Sequence, residues 1–216
     1  MRRWVLFDLD GTLTDPKSGI TRCIAHALQS LGHEAPPLDS LTWCIGPPLR
    51  GSFCELVGED QADAALAKYR ERFGSVGLYE NSVYPGIPEC LALLVDRGFR
   101  LALATSKPRV YAEKILTHFN LDHWFTAVRG SELDGTRSAK EDLIRWILDR
   151  EKVKPEEAVM VGDRRHDVVG AGSCGLPAVG VLYGYGSRDE LESAGARVLC
   201  REPGEIPPAV ATLFGI

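Results

Sequence analysis

The sequence lacks long apolar runs, clustered cysteines and any excess of positive charge, and each absence removes a class of function. No segment approaches the ~20 consecutive apolar residues of a membrane span, so no membrane partner is expected. The N-terminus reads Met-Arg-Arg, and residues 4–7 form its only continuous apolar run before Asp8 interrupts it. A secretory signal needs ~7–15 apolar residues, so the expected location is cytoplasmic. With 25 Lys and Arg against 30 Asp and Glu, the net charge of −5 gives no electrostatic reason for a nucleic-acid polymer as partner. The six cysteines (Cys23, Cys44, Cys54, Cys90, Cys174 and Cys200) show no Cys-x-x-Cys and no zinc spacing with histidine. They read as buried thiols in a reducing compartment rather than as a disulfide framework. An acidic chain that binds phosphate needs a cation or a local cluster of donors.

What is present is a soluble globular composition: 216 residues, 44% apolar, 25% charged. That length buries one substantial core, or a main core with a small appended one. Short apolar runs at residues 4–7, 101–104, 158–161 and 178–182 read as fully buried strands, with weaker candidates at 125–128 and 197–199. Helical periodicity falls between them at 87–97, 108–118, 139–150 and 166–174. Strands alternating with helices predict an α/β fold, a doubly wound, Rossmann-like parallel sheet with both faces covered. Its reactive groups belong beyond the carboxyl ends of the strands. Residues 16–82 break the alternation. They show no good strand but helical patterns at 20–31, 38–45 and 60–73, separated by turn-rich breaks at 32–37 and 46–51. The expected organisation is a catalytic core of residues 1–15 and 83–216 with a small all-helical cap, 16–82.

Four polar elements fall immediately after predicted strands. Asp8 and Asp10 stand two apart in Phe7-Asp-Leu-Asp-Gly-Thr12, so both side chains project to one side of an extended chain. Two adjacent carboxylates repel unless a cation neutralises them, and a hard, oxygen-seeking ion such as Mg²⁺ suits that role. Thr105-Ser106-Lys107-Pro108 offers a hydroxyl and backbone N–H groups to a phosphate, although the same residues read as an ordinary helix N-cap. Lys140 stands at a helix start, where it opposes the macrodipole, so an anionic partner explains it better than helix stability does. Asp163 and Asp167 in Gly162-Asp-Arg-Arg-His-Asp167 are placed to ligate and support a cation. Each element alone has a bland reading as a cap or a surface charge. Four in order at strand ends do not.

Taken together, these motifs resemble the haloacid dehalogenase superfamily, in its phosphatase branch with a helical cap between the first two motifs. The resemblance implies that Asp8 is the nucleophile and Asp10 the general acid/base. It implies that Asp8, the Asp10 carbonyl and Asp163 hold Mg²⁺ while Asp167 orients the metal shell. Thr105, the Ser106 backbone and Lys140 would bind the transferring phosphoryl group. The implied enzyme is a magnesium-dependent phosphomonoester hydrolase acting through an aspartyl-phosphate on a small-molecule phosphate ester, as a monomer or homodimer.

Selectivity is expected from the cap loop at 45–50, through Arg50, and from Gly130-Ser-Glu-Leu-Asp-Gly-Thr-Arg-Ser138, through Arg137. The latter stretch resembles a 5′-nucleotidase-like subgroup in a neighbourhood labelled phosphoglycolate phosphatase. Nucleoside 5′-monophosphates, or a broad range of small phosphomonoesters, are therefore the favoured substrates and phosphoglycolate the alternative. A phosphomutase and a catalytically silent phosphate-binding module rank lower, and Asp10 and Asp163 argue against a dehalogenase. Gly184-Tyr-Gly186 lacks the full dinucleotide-binding pattern and reads as a structural turn. Trp43, Trp124 and Trp146 read as core or domain-interface aromatics, and His26, His33, His118 and His123 as packing or surface residues.

Overall fold

Apolar runs with no polar alternate face form strands only where both faces of a sheet are covered. The structure, a computed structural model that describes residues 3–216, places six such strands in one sheet. They are β1 (Trp4–Phe7), β2 (Arg100–Pro108), β3 (Phe125–Ser131), β4 (Ala158–Gly162), β5 (Ala178–Val181) and β6 (Val198–Cys200). Their order is β3-β2-β1-β4-β5-β6, and every neighbouring pair is parallel. This is the doubly wound sheet that the alternation predicts, with β1 at the point where the strand order reverses. In register, Phe7 lies opposite Leu103 on one side and Val161 on the other. The next residue of β1 therefore opens the crevice between two diverging crossovers.

By contact, the chain divides into two units: the N-terminal segment to Asp15 with Val83–Ile216, and Pro16–Ser82. The second unit is helical: α1 (Lys17–Ser30), a 3₁₀ segment (Leu38–Cys44), α2 (Leu49–Val57) and α3 (Glu59–Phe73). Phe53 and Tyr69 meet edge to face at 6.1 Å, and Tyr69 stacks on Phe73 at 5.1 Å, so three aromatics link α2 to α3. The α2 helix corrects the sequence reading, which places a turn-rich break over 46–51. The break ends at Pro48, whose φ of −58° suits a helix start, and Gly51 lies inside the helix. The 38–45 pattern is one 3₁₀ run, and Trp43, expected in a core or domain interface, is 38% exposed.

Glu80 ties this unit together electrostatically, accepting from Arg22 Nη1 at 2.9 Å and from Arg72 Nη1 and Nη2 at 2.7 and 3.1 Å. The Arg72 hydrogen bond holds its carboxyl below the ordinary range. A depressed folded-state pKa stabilises the fold above the unfolded value, near 4.3, and that stability is lost as pH falls through the folded value. Glu80→Gln is thus expected to destabilise the chain by about 1 kcal/mol near neutral pH, modest because solvent reaches Arg22. The difference in melting temperature between wild type and variant should shrink as pH falls below the unfolded value and through the depressed folded one. A gap that stays constant as the acids become protonated contradicts the ion-pair account.

The sheet unit adds α4 (Ile87–Asp96), α5 (Arg109–His118), α6 (Lys140–Glu151), α7 (Arg165–Ser173), α8 (Arg188–Ala194) and α9 (Ile206–Leu213). Trp4, Leu6, Ala102, Ala104, Ala158 and Met160 point to one face and pack on Leu143, Ile144 and Ile147 of α6 and on Val168 and Ala171 of α7. Their alternates Val5, Phe7, Leu101, Leu103, Val159 and Val161 are fully buried as well. Each such side chain contributes about 1.5–3 kcal/mol on burial, which is why both faces need their helices. The sequence reading omits α8 and α9. Ser187 caps α8 by accepting from Glu190 N–H, and α9 begins on Pro207 and Pro208, which are tolerated only in a first turn. All six cysteines are free; Cys54 and Cys174 are only partly buried, and the other four match the buried reading. Among the described residues, no helix is long and apolar enough to cross a membrane.

Candidate active site

The four polar elements converge at the carboxyl ends of β1, β2 and β4. Asp8 directly follows β1, and its N–H donates to Val161 O at 2.9 Å, which locks the end of β1 to β4. Gly11 turns the chain back at φ +83°, a conformation that disfavours any side chain, and its N–H donates to Thr14 O at 2.8 Å. A Cβ there would lie 2.2 Å from Asp163 Oδ2, so the turn also lets Asp163 approach. Oxygens of Asp8, Asp163 and Asp167 all lie within 4.8 Å of one another, and all three residues are buried.

Lys140, the first residue of α6, lies among these acids. Its Nζ is 3.0 Å from Asp8 Oδ1 and 2.7 Å from Asp167 Oδ1, and it donates to Ala104 O at 2.8 Å. Burial lowers its pKa, but Asp167 and Asp8 outweigh burial and the net shift is upward, so the ammonium stays charged. Asp167 also accepts from Arg164 N–H at 3.1 Å, and Asp163 from Tyr185 N–H at 2.8 Å and from the Thr12 hydroxyl at 3.4 Å. Burial lifts Asp167 to about 6 and, helped by Asp167 and Asp8, lifts Asp163 well above the ordinary carboxylate range.

Asp10 belongs to a separate pair. Its Oδ2 lies 2.7 Å from Lys107 Nζ, and both side chains are about nine-tenths buried or more. Its Oδ1 is buried with no hydrogen-bond partner among the described residues. Burial raises the Asp10 pKa, while Lys107 pulls against that rise. The pairing separates one carboxyl from the other three. Lys107 goes unassigned in the sequence reading because a β2–β3 register shift between Thr105 and Pro108 sets its direction, and strand periodicity does not show such a bulge. Thr105 is buried, and its Oγ1 accepts from Lys107 N–H at 3.2 Å, which leaves its own proton free to be donated. Ser106 uses its carbonyl to accept from the Ser131 hydroxyl at 2.7 Å.

Four carboxyl groups against two ammoniums leave two carboxyls without a counter-charge in a buried pocket. Burying unpaired charge is expensive, so this donor set fits a hard divalent cation held by oxygen ligands. The two arginines expected to select substrate are engaged elsewhere. Arg50 donates to Asp63 at 2.9 Å and to Glu59 at 2.8 Å within the helical unit. Arg137 donates to Glu132 at 2.6 Å, and its guanidinium lies 4.6 Å from the centre of the Trp146 ring.

Relatives and solved structures identify the family. The sequence profile of the haloacid dehalogenase-like hydrolases matches residues 5–181. A 5′-nucleotidase from Pseudomonas aeruginosa is 53% identical over 191 residues, 88% of this chain and 86% of that protein. The tyrosine-protein kinase PtkA of Mycobacterium tuberculosis is 39% identical over 195 residues, 90% of this chain and 67% of that protein. A crystal structure of a predicted phosphatase from Clostridium acetobutylicum superposes with a TM-score of 0.94 at 43% identity, covering 98% of this chain and 99% of that one. Fold and site define an α/β enzyme with its acids at a strand switch point. The chain belongs to the haloacid dehalogenase-like hydrolase family.

Proposed function

We propose that the chain is a magnesium-dependent phosphomonoester hydrolase that works through an aspartyl-phosphate on Asp8. The partition of the acids supports the reading best: three carboxylates grouped around Lys140, and a fourth held apart by Lys107. Asp8, Asp163 and the Asp10 carbonyl would hold the ion, with Asp167 beside them. When bound, Mg²⁺ supplies charge neutralisation at the transferring phosphoryl oxygens.

The side chains divide the remaining work. Asp8 attacks phosphorus in line and displaces the alcohol. Asp10, raised by burial, is suited to donate a proton to the departing oxygen. The same group then takes a proton from the water that cleaves the acyl phosphate. Thr105, the Ser106 backbone and Lys140 receive the phosphoryl oxygens, where stabilisation of developing charge contributes most. The helical unit acts as a cap that excludes water during transfer.

The substrate reading favours nucleoside 5′-monophosphates, supported by the name of the 53%-identical relative. An incoming anion must displace Glu132 from Arg137, or Glu59 and Asp63 from Arg50, so both arginines are weaker selectivity candidates than their positions suggest. The test is phosphate release from nucleoside monophosphates, phosphoglycolate, sugar phosphates and a chromogenic aryl phosphate, in Mg²⁺ and in EDTA. Turnover in Mg²⁺, highest on nucleotides and falling on the order of 10²-fold or more with EDTA, is the expected result. A sharp preference for phosphoglycolate overturns the nucleotide assignment. Activity indifferent to EDTA overturns the metal.

A further inference from the structure

The segment Tyr183-Gly184-Tyr185-Gly186 follows β5 and has no part in the chemistry above. It reads from sequence as a turn, and the backbone does bend there. Three of its hydrogen bonds, however, lead to the two aspartate segments. Tyr183 Oη donates to Thr12 O at 2.9 Å, Tyr185 N–H donates to Asp163 Oδ2 at 2.8 Å, and Tyr185 Oη donates to Asp15 Oδ1. Tyr183 and Tyr84 also meet edge to face at 4.9 Å, which fixes the first ring from its other side.

Backbone proximity explains the glycines. A Cβ on Gly184 would lie 2.3 Å from Gly11 O and 2.4 Å from Asp163 Cβ, and one on Gly186 would lie 1.9 Å from Asp163 O. Neither position has room for a side chain, and in both cases backbone atoms, which cannot swing aside, block it. The segment therefore passes over Asp163 at contact distance while its two phenols are anchored on the 8–15 loop. Burial and the Asp15 hydrogen bond push the Tyr185 phenol upward, so it remains a donor across the neutral range.

We propose that residues 183–186 are a strap that positions Asp163, setting the direction of its carboxylate toward the cation and tying it to the Asp8 loop. This inference rests on the proposed metal site. Groups that orient a metal ligand typically change affinity about 10–100-fold when disturbed. The test is Mg²⁺ titration by calorimetry of the full chain after EDTA stripping, alongside metal-free thermal melting. Gly186→Ala is expected to raise the Mg²⁺ dissociation constant about 10–100-fold. Tyr185→Phe keeps the backbone amide but loses the Asp15 anchor, and should weaken Mg²⁺ in the same direction with a metal-free melting temperature close to wild type. A folded Gly186→Ala that binds Mg²⁺ like wild type overturns the strap. If Gly186→Ala does not fold, Tyr185→Phe decides alone, and wild-type Mg²⁺ affinity in that variant overturns it. A wild-type chain that does not bind Mg²⁺ overturns the metal site itself, an outcome distinct from failure of the variants.

Discussion

Asp8→Asn is expected to lower phosphate release by on the order of 10⁴-fold or more while leaving a folded chain. An amide has nearly the shape of a carboxylate, so the packing around the end of β1 survives. The backbone bond from Asp8 N–H to Val161 O does not involve the side chain at all. Under the proposed scheme, what is lost is the anionic oxygen that attacks phosphorus, and removal of a nucleophile costs far more than removal of a group that only orients one. The exchange also removes one acid from a site with two more carboxyls than ammoniums, so metal-free stability should hold or rise slightly. Activity and melting temperature then move in different directions, which separates a chemical defect from an unfolded one. Near-full turnover of Asp8→Asn in Mg²⁺ would sink the covalent scheme.

Much of the fold was legible because the sheet is buried on both faces. The runs at 4–7, 101–104, 158–161 and 178–182 carry no polar alternation, and that pattern has few solutions other than a parallel sheet under helices. The less legible elements are those whose cause is local or tertiary. Helix α2 starts behind two prolines and contains a glycine, and it is helical because Ser52 and Phe53 are buried, which periodicity in nine residues hardly reveals. The four aspartates and Lys140 could be read from position, each just past an apolar run or at a helix start. Lys107 could not, since its direction depends on a bulge. The Tyr183–Gly186 segment carried a readable signal, two glycines flanking a tyrosine directly after a strand. That signal states close approach of backbone, but not which backbone approaches.

Lys140→Met is expected to damage both stability and turnover, because under the proposed scheme the ammonium has two roles at one point in the fold. Without metal it is the only cation within ion-pair distance of Asp8 and Asp167 among the described residues. Methionine fills a similar volume but leaves those acids buried and unopposed, and breaking a buried pair in this way costs about 3–5 kcal/mol. For a chain of this length that corresponds to a fall of roughly 10 °C in metal-free melting temperature. Added Mg²⁺ should recover part of the loss, since it supplies positive charge to the same carboxylates. Turnover should not recover with it. A positioned donor on a developing anion is worth on the order of 10²–10³-fold in rate, and the ion does not replace an ammonium bonded to Ala104 O. Lys140→Arg is a poor rescue, because Asp8, Asp167 and Ala104 O are all placed around a single nitrogen. A planar guanidinium also presents its donors in a different geometry from a compact ammonium. Thermal melting with and without Mg²⁺, run beside a phosphate-release assay, separates the two roles. A variant that melts like wild type in EDTA and turns over normally in Mg²⁺ would mean that Lys140 serves neither the fold nor the reaction.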